Sequence, residues 1–309
     1  MSATIQRIAL CLILPFLSVG TASAWDSLGH MMVASIAYDD LTPAARKKAV
    51  QLVKLNPDYN LWIKGVAKAN QNKTAFVMAA TWPDAIKTKK TYTNDGEHPT
   101  DPNAAANIGY SDLLMHRYWH YIDEPFSPDG TPLAQPQVPN AQTQIAEFRT
   151  TLASSSVTNK LKSYDLVWIL HLVGDVHQPL HATSRFTHDL PQGDNGGNLV
   201  ELCAKPCKNE LHAYWDNILG TGKSPASAIK KAAALAAPDA ALAAESDESQ
   251  WIQESFAIAK QSVYASPIGV GAGPFTTDPA YKAAAVAIAD KQIALAGVRL
   301  ARLLNAAFQ

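Results

Sequence analysis

The stretch that most constrains this chain is residues 163–176. Leu166, Val167, Trp168, Ile169, Leu170, Leu172 and Val173 leave a helix almost no polar face, so it has to be buried on most sides. A core organised around such a helix points to packed helices rather than to a sheet. The same segment carries His171 and Asp175, four residues apart and therefore on one helical face. An ionised Asp in such surroundings costs on the order of several kcal/mol unless it is paired or bound to a metal.

Helical signals dominate the rest of the chain. Met31, Val33, Ala34, Ile36 and Ala37 make an apolar face. Thr42-Pro43 is an N-cap followed by proline at the first helical position, and it opens a helix through residue 55. Residues 75–80 read as a helix that Trp82-Pro83 ends. Further helices are expected over 141–152, 210–219, 226–236, 248–264 and 280–308. Residues 89–112 and 125–140 are rich in turn formers and read as loops, and 183–208 reads as a Gly/Asn-rich excursion with a short strand at 198–203. No repeat and no linker divides the chain. The expectation is all-α: a single compact multi-helix domain with long loops and at most a short β-hairpin. At 309 residues and 47% apolar, the chain can bury a sizeable core and is not a disordered one. A formal net charge of −1 excludes nucleic-acid binding driven by bulk positive charge, but not a nucleic acid held at a local site.

Arg7, an apolar stretch over 8–19 and Ala22-Ser23-Ala24 have the layout of a signal peptide with an A-x-A cleavage site. The division expected is a removed signal at 1–24 and a mature domain at 25–309 beginning at Trp25, in a secreted or periplasmic protein. The stretch is short for a membrane span, and an uncleaved anchor is the alternative. Cys11 leaves with the signal. Cys203 and Cys207 read as a disulfide in an oxidising compartment; the rival is half of a zinc site, for which no second Cys pair exists.

His212 and Asp216 repeat the spacing of His171 and Asp175, and His181 follows Asp175 by six residues. His120 sits in Trp119-His120-Tyr121-Ile122-Asp123, Asp84 follows Trp82-Pro83, and His30 lies near the mature start. Taken singly, each His is more often a hydrogen-bonded structural residue than a ligand. Together these eight side chains exceed what one tetrahedral ion needs. Imidazole and carboxylate without thiolate suit zinc in a hydrolytic site, and metals about 3.5–4 Å apart are the usual device for phosphoester hydrolysis.

Trp25, Gly29-His30, Trp82-Pro83-Asp84, the 119–123 segment, His171-Leu-Val-Gly-Asp175, Gln178-Pro179-Leu180-His181, Gly196-Gly197-Asn198 and Leu211-His212-Ala-Tyr-Trp215-Asp216 together resemble the trinuclear-zinc, single-strand-specific nucleases. This is the nuclease S-one/P-one family, which shares its helical fold with bacterial zinc phospholipase C. The segments run in family order over nearly the whole mature chain. The resemblance implies three zinc ions. One would be held by Asp84, His120, His171 and Asp175. A second would take the Trp25 amine and carbonyl, His30 and a bridging Asp175, and the third His181, His212 and Asp216. It makes Asp84 and Asp175 catalytic, with Asp84 orienting a nucleophilic water. Tyr121 would stack on a base, Asp123 would bond its edge and Lys87 would meet the phosphate or leaving oxygen.

The implied activity is endonucleolytic cleavage of single-stranded DNA and RNA to 5′-phosphorylated products, with 3′-nucleotides as further substrates. The implied protein is a monomer without stable membrane association. The rivals are a zinc phospholipase C and a non-catalytic extracytoplasmic zinc-binding protein. His116 is read as structural or exposed on an extended segment, and His177 as lying just behind the donors. His98 and His188 fall in loops and carry no signal.

Overall fold

Capping residues and prolines set most of the helix starts in the computed structural model, which describes residues 25–204 and 209–309. The helices are α1 (Ser27–Asp40), α2 (Pro43–Val53), α3 (Tyr59–Trp62), α4 (Gln71–Ala79), α5 (Trp82–Ile86), α6 (Ala141–Ala153), α7 (Asn159–Asp175), α8 (Leu211–Asp216), α9 (Pro225–Ala232), α10 (Ala240–Ala244), α11 (Glu248–Ile258) and α12 (Pro279–Ala307). Thr42, Thr158 and Asp278 each accept a backbone N–H of the first turn, and Asn140 and Thr143 form a reciprocal capping box. The expected signal segment and Cys207, and with it the expected disulfide of Cys203, lie outside the described residues.

The apolar run is the buried centre, as its composition demands. Every residue of α7 from Lys162 to Asp175 is buried, and α7 packs against α1, α2, α5, α6 and α12. Trp82, Tyr110, Tyr164 and Trp168 meet edge to face beside it, with Trp82 and Trp168 at 6.4 Å and 89°. The longest helix, α12, lies along α1. No helix among the described residues is long and apolar enough to cross a membrane.

Three local expectations are corrected. Trp82-Pro83 does not end a helix; it opens α5, because a proline in the first turn forfeits no intrahelical hydrogen bond. The strand expected at 198–203 is reduced to one antiparallel bridge, Glu201 with Glu210. In place of a hairpin there is a two-residue parallel pair, β1 (Pro125–Phe126) with β2 (Ser184–Arg185), brought together across a long connection. The all-α expectation holds around these small departures. α11 also stops earlier than its pattern suggests and passes into a π-helical turn at Ala259–Val263.

Candidate metal centre

Asp175 stands at the C-terminal end of α7 with its two oxygens facing different partners. Oδ1 lies 3.2 Å from His30 Nε2, while Oδ2 lies 3.0 Å from His120 Nδ1 and 3.3 Å from His171 Nε2. His30 comes from α1, which approaches α7 at Gly174. A Cβ there would stand 2.9 Å from His30 Nδ1, so a side chain would displace the ring. The bare glycine lets His30 stack on His171 at 3.8 Å and 16°. Asp84, in the first turn of α5, places Oδ1 3.7 Å from His171 Nε2 and 3.9 Å from His120 Nδ1. A 3-10 turn, Arg117–His120, delivers His120.

The second part is built from short pieces. His181 lies on the 3-10 turn Pro179–Ala182, and α8 supplies His212 and Asp216. His181 Nε2 and His212 Nε2 are 3.0 Å apart, and His212 Nε2 is 3.4 Å from Asp216 Oδ2. The structure thus gathers all eight expected side chains into three sets of converging atoms: His30, His171 and Asp175; Asp84, His120 and His171; and His181, His212 and Asp216. Trp25, the ninth expected ligand, is fully buried next to Gly29, and the Asp26 N–H donates to the Asp216 carbonyl at 3.0 Å.

Hydrogen bonds to carbonyls fix three ring tautomers and test whether a cation fits. A carbonyl only accepts, so Nδ1–H of His171 donates to Ala80 O at 2.7 Å, that of His181 to His120 O at 2.8 Å, and that of His212 to Gly196 O at 2.8 Å. The Nε2 atoms of His181 and His212 then oppose lone pair to lone pair across 3.0 Å of buried interior. That contact is repulsive without a cation between the nitrogens, and carbonyl-anchored imidazoles are the usual outer support of metal ligands. His30 and His120 also bury ring nitrogens that have no hydrogen-bond partner. The donor set fits a metal such as zinc.

Electrostatics agree. Burial holds His30, His120 and His181 far below the usual imidazole range and pushes His171 and His212 down to about 4, so all five are neutral donors at physiological pH. Burial pushes Asp175 and Asp216 far up, which makes their ionised forms dependent on a nearby cation. Burial also raises Asp84, but Lys87, His171 and His30 together outweigh it and hold Asp84 below the usual carboxylate range. Lys87 Nζ donates to Asp84 Oδ1 at 2.8 Å; it is buried against the centre rather than solvated with its lysine neighbours.

The residues expected to meet a base are less open. The Tyr121 hydroxyl donates to the Glu97 carbonyl, and the recess it shares with Asp123, Glu97 and His98 holds only about 10 Å³. Burial, reinforced by Asp194, pushes Asp123 up to about 7.

The other histidines take structural roles. The 116–120 segment is not extended: His116 is left-handed at φ 47°, buried, stacked on Trp119 at 3.5 Å and bonded to Asp112. His177 faces away from the donors, with Nδ1–H on Val173 O and Nε2 accepting from Arg299. Gln178 was read only as part of a motif. Its Nε2 donates to Asp216 Oδ1 at 2.7 Å while its Oε1 accepts from Leu180 N, which aims the carboxylate. The signal in the sequence is its place between Asp175 and His181; its full burial emerges only in the fold.

The three adjoining His/Asp sets converge on a buried centre in a helical protein, and each could hold a metal ion. The family follows from comparison: the profile of the S1/P1 nucleases matches residues 25–309, and the chain belongs to that family. Among characterised relatives in Arabidopsis thaliana, it is 23% identical to Endonuclease 2 over 201 residues, covering 65% of this chain and 58% of that protein. It is 27% identical to Endonuclease 1 over 206 residues, covering 66% and 56%. The chain therefore spans little more than half the length of these relatives.

Proposed function

We propose that this chain is a zinc-dependent endonuclease that hydrolyses single-stranded DNA and RNA to 5′-phosphorylated products and also dephosphorylates 3′-nucleotides. The observation that carries the reading is the convergence of neutral, carbonyl-anchored imidazoles and shared carboxylates in a member of the S1/P1 nuclease family. One ion would be held by Asp84, His120, His171 and Asp175, and the third by His181, His212 and Asp216. The second would take His30, Asp175 and the amine and carbonyl of Trp25. Zinc, when bound, supplies Lewis acidity: it makes water nucleophilic near neutral pH and offsets charge on phosphoryl oxygens.

The chain's own residues do the rest. Asp175 offers one oxygen to each of two sets and so fixes their separation. Asp84, kept ionised by Lys87, orients the attacking water through a hydrogen bond. Lys87 stands beside the same carboxylate and meets negative charge on the phosphate or the leaving oxygen. Tyr121 provides a stacking face for a base once the Glu97 contact opens, and Asp123 reads the base edge.

The protein is exported, to the periplasm or the medium, and removal of residues 1–24 frees the Trp25 amine. An α-amine with an ordinary pKa of about 7.7–8.0 yields its proton to zinc at modest cost. Processing would thereby complete the second metal site, and a variant retaining one extra N-terminal residue should lose most activity. Full activity in that variant would overturn the role of the amine.

The test of the whole reading is metal content and hydrolysis on protein beginning at Trp25. Near three zinc per chain is expected, with chelator-sensitive cleavage of single-stranded DNA and RNA in preference to duplex. Turnover of phosphatidylcholine alone, or bound zinc without any hydrolysis, would overturn it.

A further inference from the structure

A second recess reaches the centre by a route that shares no residue with the Tyr121 pocket. It lies between α1 and α5, holds about 320 Å³, and ends on Asp84. Met31 and Met78 form an apolar wall, and Thr88 and Lys223 stand at the rim. Its volume is in the range of sites for small organic ligands, whereas the Tyr121 recess has room for about one water.

Two polar groups in this recess are unspent. Asp26 Oδ2 is buried and accepts no hydrogen bond. A buried acceptor of this kind costs free energy until a donor arrives. Lys223 is exposed and close enough for its charge to act on Asp26, yet it forms no ion pair or hydrogen bond among the described residues. An apolar wall, one acceptor and one exposed cation suit a nucleotide: a flat base or sugar against Met78, a hydroxyl or N–H on Asp26, and a phosphate on Lys223.

The reaction needs such a place. Cleavage that leaves a 5′-phosphate keeps the phosphoryl group on the nucleotide 3′ of the broken bond. That nucleotide must sit beside the centre while the other one occupies the Tyr121 side. We propose that the recess between α1 and α5 binds the nucleotide 3′ of the scissile bond, with Lys223 on the phosphate at its 3′ side and Asp26 accepting from its sugar or base. The inference rests on the nuclease reading above.

The test is binding of a phosphorothioate single strand to the zinc-loaded protein, followed by fluorescence anisotropy over a salt series. Displacement by thymidine 3′,5′-bisphosphate and by thymidine 3′-phosphate is measured on the same samples. Lys223→Ala should weaken the strand and thymidine 3′,5′-bisphosphate about threefold to tenfold. It should also flatten the slope of log affinity against log salt by about 0.7, the value of one phosphate contact on a single strand. Thymidine 3′-phosphate should bind as before, and Lys223→Arg should restore the strand. Equal weakening of both mononucleotides, or no change in slope, would overturn the assignment. If the wild-type protein neither binds this strand nor cleaves the same strand with ordinary phosphodiester bonds, the nuclease reading fails first. If it does both and Lys223→Ala is indistinguishable from it, only the recess assignment fails.

Discussion

Asp165 and Asp175 lie on the same helix, both fully buried, and their surroundings handle them in opposite ways. Asp165 has Asn107 Nδ2 donating to it at 2.9 Å and no ion pair among the described residues; Lys162 and the Thr151 side chain act on it more weakly. Burial pushes it up to about 8, so a proton neutralises it. Asp175 is pushed up by burial as well, but three imidazoles converge on its oxygens and Asp84 faces two of the same rings. A buried acid held by neutral amide and hydroxyl neighbours is a structural group that holds its proton. A buried acid ringed by neutral imidazoles is a place for a metal. The charge of an Asp predicts little in a core; what surrounds it decides whether a proton or a cation removes the penalty.

The strongest way to break this contrast is at Asp175 itself. Asp175→Asn should lower single-strand hydrolysis by about 10³-fold, and elemental analysis should show loss of the two ions it joins while the His181, His212 and Asp216 set keeps its own. Asp165→Asn should leave hydrolysis unchanged. Gly174→Ala comes next. The added methyl must displace His30 or separate α1 from α7, so unfolding measurements should show a loss of about 1–3 kcal/mol, together with weakened metal retention at the His30 set. Gln178→Ala acts on the other side only. Asp216 loses its aim, and zinc affinity of the third set should fall about 10–100-fold in a chelator competition.

The smallest effect sharpens the Asp165 half. Its folded pKa is raised above its unfolded value, so its contribution to stability is fully present below about pH 4 and is lost as pH rises through about 8. The Tm of Asp165→Asn relative to wild type should therefore climb between pH 5 and 9. A difference that stays flat across that range would mean that Asp165 is already ionised in the fold.

Much of this was legible beforehand because it is local. The α7 run, its His-x-x-x-Asp pair, the Thr42-Pro43 cap and the repeat of the pair at His212 and Asp216 depend on spacing within one element. What stayed hidden depends on distant chain segments. Trp82-Pro83 reads as a stop or a start equally well until the packing of Trp82 on Trp168 is known. The β1–β2 pair joins residues 59 positions apart and has no hairpin turn to announce it. His116 looked ordinary because neither its left-handed backbone nor its stacking on Trp119 leaves a pattern in the sequence. The recess at Lys223 is assembled from three separate stretches, none of which signals it alone.

The central claim is that the converging His and Asp side chains form one three-metal centre. Anomalous diffraction at the zinc edge, on crystals of protein beginning at Trp25, tests it most directly. The account predicts three peaks, one within each donor set, with Asp175 between two of them. A single peak, or peaks away from these side chains, would contradict it.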